Sequence, residues 1–359
     1  MVEIEFVADC THQLTFGALR MANPHHRKSM MDLVARALAR TLAVTLVICA
    51  ATHARAADTW KPRKVVEIVV GAQAGGANDR MGRVLQKILT DTNALPVPTA
   101  VVNKPGQGQA LSVAYLNTHV ADPHYVVILG SSWVTTSITS GSTSTHRDLT
   151  PLIKAADTDL VLFVNAGSPL RHTKEMVDGL AKNVAAYSFG FSTSAGNASH
   201  IALAEMARIA GADSRKLKLV VNASGSITAT QVAGGHVNVG ISSSGSAQAM
   251  VSSGKIRLLG TLSTQRLPLL PELPTLREQG YDIVASTWFT IFGPKGLTSE
   301  QVAYWEEVLF KAMRHPEAKK FAESNNWTID LVGAKALPAV LDKEYARLRK
   351  TLAELGMVQ

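Results

Sequence analysis

A run of apolar β-branched residues passes directly into a glycine-rich turn and an Asn-Asp pair at residues 65–79, VVEIVVGAQAGGAND. The run is too apolar for a half-exposed strand and predicts a central parallel strand that is buried on both faces. Gly75 and Gly76 permit turn geometry, and Asn78 or Asp79 can then cap a helix whose apolar residues share one face. The segment therefore predicts a helix N-terminus whose free N–H groups suit a carboxylate or phosphate. The alternative is that the turn only connects the strand to the helix and binds nothing.

Nucleotide binding and catalysis both lack their expected motifs. The turn GAQAGGAND has no Gly-Lys-Ser/Thr ending, and residues 106–111, GQGQAL, lack the third glycine of a dinucleotide fingerprint. Residues 190–194, GFSTS, miss the last glycine of a nucleophile elbow, and no His pair has the spacing of a zinc site. His200 begins a predicted helix, where packing or capping is its alternative role. We therefore expect a binding protein without metal or cofactor, and a serine-dependent hydrolase is the less favoured alternative.

The first 57 residues resemble an export signal. Arg36 and Arg40 precede a short apolar core at residues 41–51, and residues 54–56, ARA, supply a small-x-small cleavage pattern. The stretch before Met30 has no apolar periodicity, so Met21, Met30 and Met31 are alternative starts. Both cysteines, Cys10 and Cys49, precede the proposed cut, and no later apolar run approaches the roughly 20 residues of a membrane span. We expect a mature protein in the periplasm.

Charge and element order limit the remaining possibilities. The full chain has 36 Lys plus Arg and 28 Asp plus Glu; the first 56 residues hold six and four of these, which leaves a net charge of +6. This balance is compatible with an anionic solute, and no Lys/Arg cluster marks a nucleic-acid face. Predicted strands near 65–71, 97–103, 124–130, 216–222, 237–242 and 256–262 alternate with helices such as 79–91 and 200–210. Such alternation predicts parallel sheets covered on both faces, with ligand at the carboxyl ends of the strands.

The turn also resembles the opening of one receptor family, the solute-binding proteins of tripartite tricarboxylate transporters, called the TctC or Bug family. That family has a Gly-Gly turn closed by Thr-Asp or Ser-Asp; here Gly75, Gly76 and Asp79 match, while Asn78 replaces the hydroxyl residue. The resemblance continues through residues 103–106 (NKPG), 148–151 (DLTP), 199–200 (SH), 234–235 (GG), 274–275 (PT) and 293–297 (GPKGL). It covers nearly the whole chain after residue 60.

The resemblance implies an α/β fold: a bilobed periplasmic binding protein of type II, with two doubly wound, mostly parallel-sheet lobes that close on ligand by a hinge. Residues 159–165 and 283–293 are the expected crossover strands. We predict lobe one at residues 58–157 plus 288–359, lobe two at 158–287, and a signal peptide at 1–57. The implied function is capture of a small organic carboxylate by a monomer for delivery to membrane permease subunits. Docking to a sensor kinase is the alternative partner.

The predicted ligand contacts follow the strand ends, and a second polar loop precedes a helix at residues 191–200, FSTSAGNASH. The set is Ala74, Gly75, Gly76, Ala77, Asn78, Asp79, Ser131, Ser132, Ser192, Thr193, Ala195, Gly196, Asn197, Asn222 and Asn238. Helix capping is the alternative role for Ser131 and Ser132, and Trp133 is expected to pack. Because neither loop contains Arg or Lys, we expect backbone N–H groups, hydroxyls and water to hold the carboxylate.

Two asparagines depart from the family pattern. Asn222 stands where the family usually has tyrosine, and Asn238 stands where it usually has aspartate. An amide donates and accepts, whereas an ionised aspartate only accepts. If Asn238 faces the ligand, the lost negative charge favours a solute without an amine or with an extra acidic group. The alternative is that Asn238 is a turn or strand-end residue without ligand contact.

Overall fold

The computed structural model of the protein describes residues 60–141 and 145–358. The expected signal peptide at residues 1–57 lies outside the described residues. Residues Trp60–Gln359 form one compact unit. In the described part of the chain the strands are β1 (Val66–Val70), β2 (Thr99–Asn103), β3 (Tyr125–Gly130), β4 (Thr150–Asn165), β5 (Ser188–Ser192), β6 (Lys218–Asn222), β7 (Val239–Ser243), β8 (Ile256–Thr261), β9 (Ser286–Gly293) and β10 (Trp327–Gly333).

The helices between these strands cover the sheet. They are α1 (Ala77–Asp91), α2 (Ala110–Asn117), α3 (Ser131–Thr139), α4 (Thr173–Lys182), α5 (Ala198–Ile209), α6 (Gly225–Ala233), α7 (Ser244–Ser252), α8 (Ser299–Met313), α9 (Pro316–Ser324) and α10 (Leu337–Glu354). Short 3-10 turns occur at Gln107–Gln109, His146–Asp148 and Ser214–Lys216. The six strands and two helices predicted from the sequence are confirmed, and strands β5 and β10 were not predicted.

Lobe one is built on β1, which lies between β2 and β3 and pairs in parallel with both. Ile68 and Val70 of β1 pack into one core with Leu85 of α1, while Val69 faces a second core with Trp133 of α3. This division confirms a strand buried on both faces, and it shows Trp133 packing as expected. The strand therefore has little freedom, and it fixes where the turn after Val70 begins.

Lobe two repeats this arrangement on β5, which pairs in parallel with β6 and β7. Phe189 and Phe191 of β5 pack into a core with Leu162 of β4 and Leu203 of α5. The opposite face of β4 presents Phe163 to a separate core that includes Val232 of α6 and Ala247 of α7. Two apolar layers again hold the strands between helices.

Strand β4 joins the two lobes. Its first part pairs antiparallel with β9, from Thr150 opposite Gly293 to Asp159 opposite Ser286, and its last part pairs antiparallel with β7 and β8. The chain returns next to this crossing, since Ala285 donates to the Leu262 carbonyl of lobe two and the next residue opens β9. The fold class is confirmed as a mixed α/β bilobed fold whose outer strands are parallel. The predicted lobe boundaries stay a prediction.

Candidate functional site

A cavity of about 70 Å³ lies where the carboxyl ends of strands from both lobes meet. It is lined by Ala72, Gly76, Ala77, Asn78, Gly130, Ser131, Ser132, Leu160, Ser192, Thr193, Asn197, Ala198, Ser199, Ala223, Ser224, Gly225, Ser242, Ser243, Ser246, Thr287 and Phe289. Ten of these 21 residues carry a hydroxyl and none carries a charge at neutral pH. Neutral dipoles must therefore supply the polarity of the cavity.

Five helices begin at the cavity wall. The N-cap residues of α1, α3, α5, α6 and α7 are Gly76, Gly130, Asn197, Ser224 and Ser243, and all five line the cavity. In the part of the chain that the structure describes, no side chain caps α1, α3 or α7, so their first-turn N–H groups lack that partner. Each helix start carries a partial positive charge of about half an elementary charge. Together they give an uncharged wall a positive potential that favours an anion.

Several hydroxyls at this wall are oriented as donors by their neighbours. Ser132 Oγ accepts from Gln109 Nε2, and Ser224 Oγ accepts from the Ile227 N–H at 3.3 Å. Ser246 Oγ accepts from Ser243 Oγ at 2.9 Å and from Arg80 Nη2 at 3.4 Å. A hydroxyl whose oxygen already accepts has its proton to give. These serines can therefore donate to a bound solute.

The lobe-one wall is organised by Gln109, which is 1% exposed and has a left-handed φ of 79°. Its Oε1 accepts from the Gly130 N–H at 2.8 Å and from Asn78 Nδ2 at 3.2 Å. Its Nε2 donates to Ser132. One amide thus fixes the beginnings of both α1 and α3. Sequence reasoning missed Gln109, because its segment was examined only as a failed nucleotide motif.

The lobe-two loop at residues 193–197 is held by its own asparagine and by His200. Asn197 Nδ2 donates to the Ser192 carbonyl and Asn197 Oδ1 accepts from the His200 N–H at 3.0 Å. The Gly196 N–H donates to His200 Nδ1 at 2.8 Å, and the imidazole stacks on Phe191. Burial lowers the pKa of His200 to about 4. The ring is therefore neutral at pH 7, and it holds the loop through packing and one accepted hydrogen bond.

The two lobes touch beside the cavity. Ser226 Oγ donates to the Gly75 carbonyl at 3.0 Å, and Arg80 Nη1 donates to the Gly245 carbonyl at 2.7 Å. A side chain at Gly76 would place its Cβ 3.5 Å from Ser224 Cβ of the other lobe. A Cβ at this position would already be in van der Waals contact with lobe two, so the space here does not extend beyond about a methyl group.

Residues 81–357 match the model of a protein family described as "Tripartite tricarboxylate transporter family receptor". The chain belongs to this family. Similar solved structures are the periplasmic binding protein BugD, R. palustris Rpa4515 with adipate, and MatC (Rpa3494) from Rhodopseudomonas palustris with bound malate. Their TM-scores are 0.76, 0.75 and 0.70 at 20%, 19% and 16% identity. The matches cover 83%, 83% and 81% of this chain and 99% of each of the others. These similarities establish the fold.

This member of the receptor family brings eight of the predicted contact residues to the cavity. They are Gly76, Ala77, Asn78, Ser131, Ser132, Ser192, Thr193 and Asn197. Helix α1 begins earlier than predicted: Gly76 is its N-cap, so neither Asn78 nor Asp79 takes that role. Gly130 likewise caps α3 in place of Ser131 or Ser132, whose side chains bond to Thr287 and Gln109. The capping alternative for these serines is therefore wrong, and ligand contact stays a prediction.

Six other predicted residues do not line the cavity: Ala74, Gly75, Asp79, Ala195, Gly196 and Asn222. The Asp79 carboxylate accepts from the Gly75 N–H, Asn103 Nδ2 and Arg83 Nε. Burial alone would raise the Asp79 pKa, but these hydrogen bonds outweigh it and lower the pKa below its usual value. Asn222 Nδ2 donates to Thr228 Oγ1 at 3.1 Å. These side chains shape the loops through bonds within their own lobe.

Asn238 requires a correction. It precedes β7, whereas the cavity lies beyond the other end of that strand at Ser242 and Ser243. Four strand residues separate these ends by roughly 13 Å. Asn238 is exposed, and its Oδ1 accepts from the Ser188 N–H and Ser188 Oγ, both at 2.9 Å. It is a strand-start residue away from the cavity, so its difference from the family pattern carries no information about the solute.

Apart from Ser192, sequence reasoning did not include the cavity serines of lobe two among the ligand contacts. Residues 224–226 and 244–246 both read Ser-Gly-Ser, and each triplet directly follows or closely follows a strand end. That repeated pattern was the available signal for Ser224 and Ser246, and Ser243 directly precedes the second triplet. Among the residues that the structure describes, no helix is both long and apolar enough to span a membrane, and no group of three His, Cys, Asp or Glu could hold a metal ion.

Proposed function

We propose that this receptor captures a small organic carboxylate in the cavity and delivers it to the permease subunits of a tripartite tricarboxylate-type transporter. The observation that carries the proposal is the convergence of five helix N-termini on a wall without charged side chains. Such a wall stabilises an anion through N–H dipoles, and hydroxyl donors add hydrogen bonds. The adipate-bound and malate-bound neighbours support this solute class.

The composition of the wall argues against other solutes and against catalysis. Phe289 is the one aromatic residue among those lining the described cavity, which leaves little surface for stacking a sugar. Among the described residues that line it, there is no His, Lys, Asp or Glu to activate one of the serines. The cavity, at about 70 Å³, suits a compact solute and not a large one. A short carboxylate fits these limits.

The cell compartment and the closing movement belong to the same proposal. Proteins of this family are periplasmic binding proteins, and residues 1–57 have the pattern of an export signal. We infer that lobe one, residues 58–157 plus 288–359, closes on lobe two, residues 158–287. The hinge would lie in β4 and at the return into β9, where strand pairing changes between lobes.

The test is calorimetry and thermal unfolding of ligand-stripped protein with mono-, di- and tricarboxylates, amino acids and sugars. A carboxylate at about 100 times its dissociation constant should add about 2.7 kcal/mol to the free energy of unfolding. Binding should be lost in Gly76→Val while the protein stays folded. Stabilisation by sugars with none by any carboxylate would overturn the proposal.

A further inference from the structure

The orientation of the Asn78 amide is fixed by backbone groups and leaves one acceptor without a partner. Asn78 Nδ2 donates to the Ile128 carbonyl at 3.3 Å, and a carbonyl can only accept. The second contact of Nδ2 is Gln109 Oε1, whose own orientation is fixed because it accepts from the Gly130 N–H. Both protons of the Asn78 amide are thus used. In the described chain, Asn78 Oδ1 accepts no hydrogen bond, although Asn78 is 7% exposed and lines the cavity.

The same chain of hydrogen bonds makes a neighbouring hydroxyl a donor. Because Gln109 Oε1 faces Gly130, its Nε2 must face Ser132, and Ser132 Oγ accepts from it. The Ser132 proton is then free for the cavity. The wall of lobe one therefore presents one acceptor, Asn78 Oδ1, beside one donor, Ser132 Oγ–H.

Gly130 marks the part of the wall next to Asn78 Oδ1 and Gln109 Nε2. A Cβ built on Gly130 would lie 3.6 Å from Asn78 Oδ1 and 3.4 Å from Gln109 Nε2, the donor to Ser132. The missing side chain leaves a recess at the start of α3, which the Trp288 carbonyl oxygen, 3.6 Å from the same Cβ position, also borders. A solute group in this recess can donate to Asn78 Oδ1, and it can accept from the Ser132 hydroxyl, which bonds to the adjacent Gln109 Nε2. A hydroxyl does both, and a carboxylate next to it would face the helix N-termini.

We propose, on the basis of the proposed function, that the solute is a 2-hydroxycarboxylate whose hydroxyl binds between Asn78 Oδ1 and Ser132 Oγ. An ammonium group would also donate to Asn78, but it needs a counter-charge when it leaves water. No acidic side chain lines the cavity, and the nearby Asp79 carboxylate is bound to Arg83, Asn103 and Gly75. Five positive helix ends make the site still less favourable for a cation. The hydroxy acid is therefore preferred over its amino analogue.

The experiment is calorimetric titration of the ligand-stripped protein with two series of matched acids. The first series is succinate, malate and aspartate, and the second is glutarate, 2-hydroxyglutarate and glutamate. Both enantiomers of each chiral acid are measured. Members of a series differ at one carbon. In at least one series the hydroxy acid should bind about tenfold more tightly than the unsubstituted acid, because only it satisfies Asn78 Oδ1. The amino acid should bind most weakly.

Two variants test whether the preference for the hydroxy acid depends on the recess at Gly130. Gly130→Ala adds a methyl group at ordinary contact distances, and its φ of −95° suits alanine. Ser132→Ala removes the donor. Each should reduce the preference for the hydroxy acid to about twofold or less while the unsubstituted acid still binds. Ser131→Ala is the matched control: its hydroxyl bonds to Thr287, so it should change the affinity of both acids equally. Thermal unfolding checks that each variant is folded.

The outcomes separate the two proposals. Equal binding of hydroxy and unsubstituted acids, tighter binding of the amino acid, or an unchanged preference in both recess variants would overturn the hydroxyl site and leave carboxylate capture intact. Binding of no carboxylate in either series or in the wider solute screen would overturn both.

Discussion

The two walls of the cavity differ in how firmly their polar groups are held. In lobe one, α1 and α3 begin at glycines, and the buried Gln109 amide fixes Asn78, Gly130 and Ser132 in one network. In lobe two, α5 and α6 are capped by Asn197 and Ser224, and the other polar groups are largely serine hydroxyls in separate hydrogen bonds, such as Ser243 Oγ to Ser246 Oγ, instead of one network built on a single buried amide. We propose on this basis that lobe one sets which solute group is recognised, while lobe two contacts the rest of the solute.

The largest expected effect comes from removing the close approach of the walls. In Gly76→Val, Cβ would lie 3.2 Å from the Gln73 carbonyl and 3.5 Å from Ser224 Cβ, and the branched methyl groups would hold the lobes apart. Carboxylate affinity should fall more than about 100-fold, or about 2.7 kcal/mol. Calorimetry measures it. Gly167→Val, in an exposed turn of lobe two, is the control and should bind normally. If Gly76→Val bound the carboxylate as tightly as the unmodified protein, the turn before α1 would not belong to the binding site.

The walls should also differ in their response to pH. His200 of lobe two has a folded-state pKa of about 4 because of burial, against about 6.5 in the unfolded chain. As pH falls from about 6.5 to 4, the unfolded chain takes up the proton first, so His200 reduces the free energy of unfolding by on the order of 3 kcal/mol. The network of Gln109, Asn78 and Ser132 contains no titratable group.

The titration of Asp159 must be removed before the effect of His200 on the pH dependence of stability can be observed. Burial, and then repulsion by Asp157, raises the pKa of Asp159 to about 6, so its contribution to stability falls as pH rises from about 4 to 6. The two slopes oppose each other. In an Asp159→Asn background, His200→Gln should therefore weaken the rise of stability between pH 4 and 6.5. Urea unfolding at several pH values measures it, and identical slopes with and without His200 would contradict the assignment.

Breaking the network of lobe one should affect stability and affinity together. Gln109→Leu leaves the Gly130 N–H without its acceptor and removes a partner from both Asn78 and Ser132. Unsatisfied buried groups of this kind cost about 1 to 3 kcal/mol, so we expect a loss of stability in that range with weaker carboxylate binding. Asn197→Ala, the comparable change in lobe two, should weaken the discrimination between solutes less. A larger loss of discrimination in Asn197→Ala would reverse the comparison of the two walls.

The smallest effect is expected from basic residues. Arg83 pairs with Asp79 but its side chain is 54% exposed, and no basic residue lines the cavity. Exposed ion pairs of this kind contribute about 0 to 1 kcal/mol. Arg83→Gln should therefore change carboxylate affinity less than about threefold at physiological salt. A tenfold or greater loss in calorimetry would show that charge, and not the helix dipoles, holds the anion.

The strand ends of lobe one were predictable because apolar runs such as β1 identify buried strands, and parallel strands bring their carboxyl ends together. Asn238 was misplaced for a related reason: counting from a motif gives a position in the sequence but not the end of the strand on which it lies. Gln109 was not predictable from pattern, since its partners Gly130 and Asn78 are 21 and 31 residues away. A buried polar network is determined by tertiary contacts and leaves no local periodicity.

The measurement that tests the central claim most directly is a crystal structure of the receptor with a bound dicarboxylate. We predict a carboxylate group in the cavity with its oxygens about 3 Å from first-turn N–H groups of α1 or α3 and from serine hydroxyls, without a Lys or Arg contact. A carboxylate held by a basic side chain, or bound away from the five helix N-termini, would contradict the claim that neutral dipoles capture the solute.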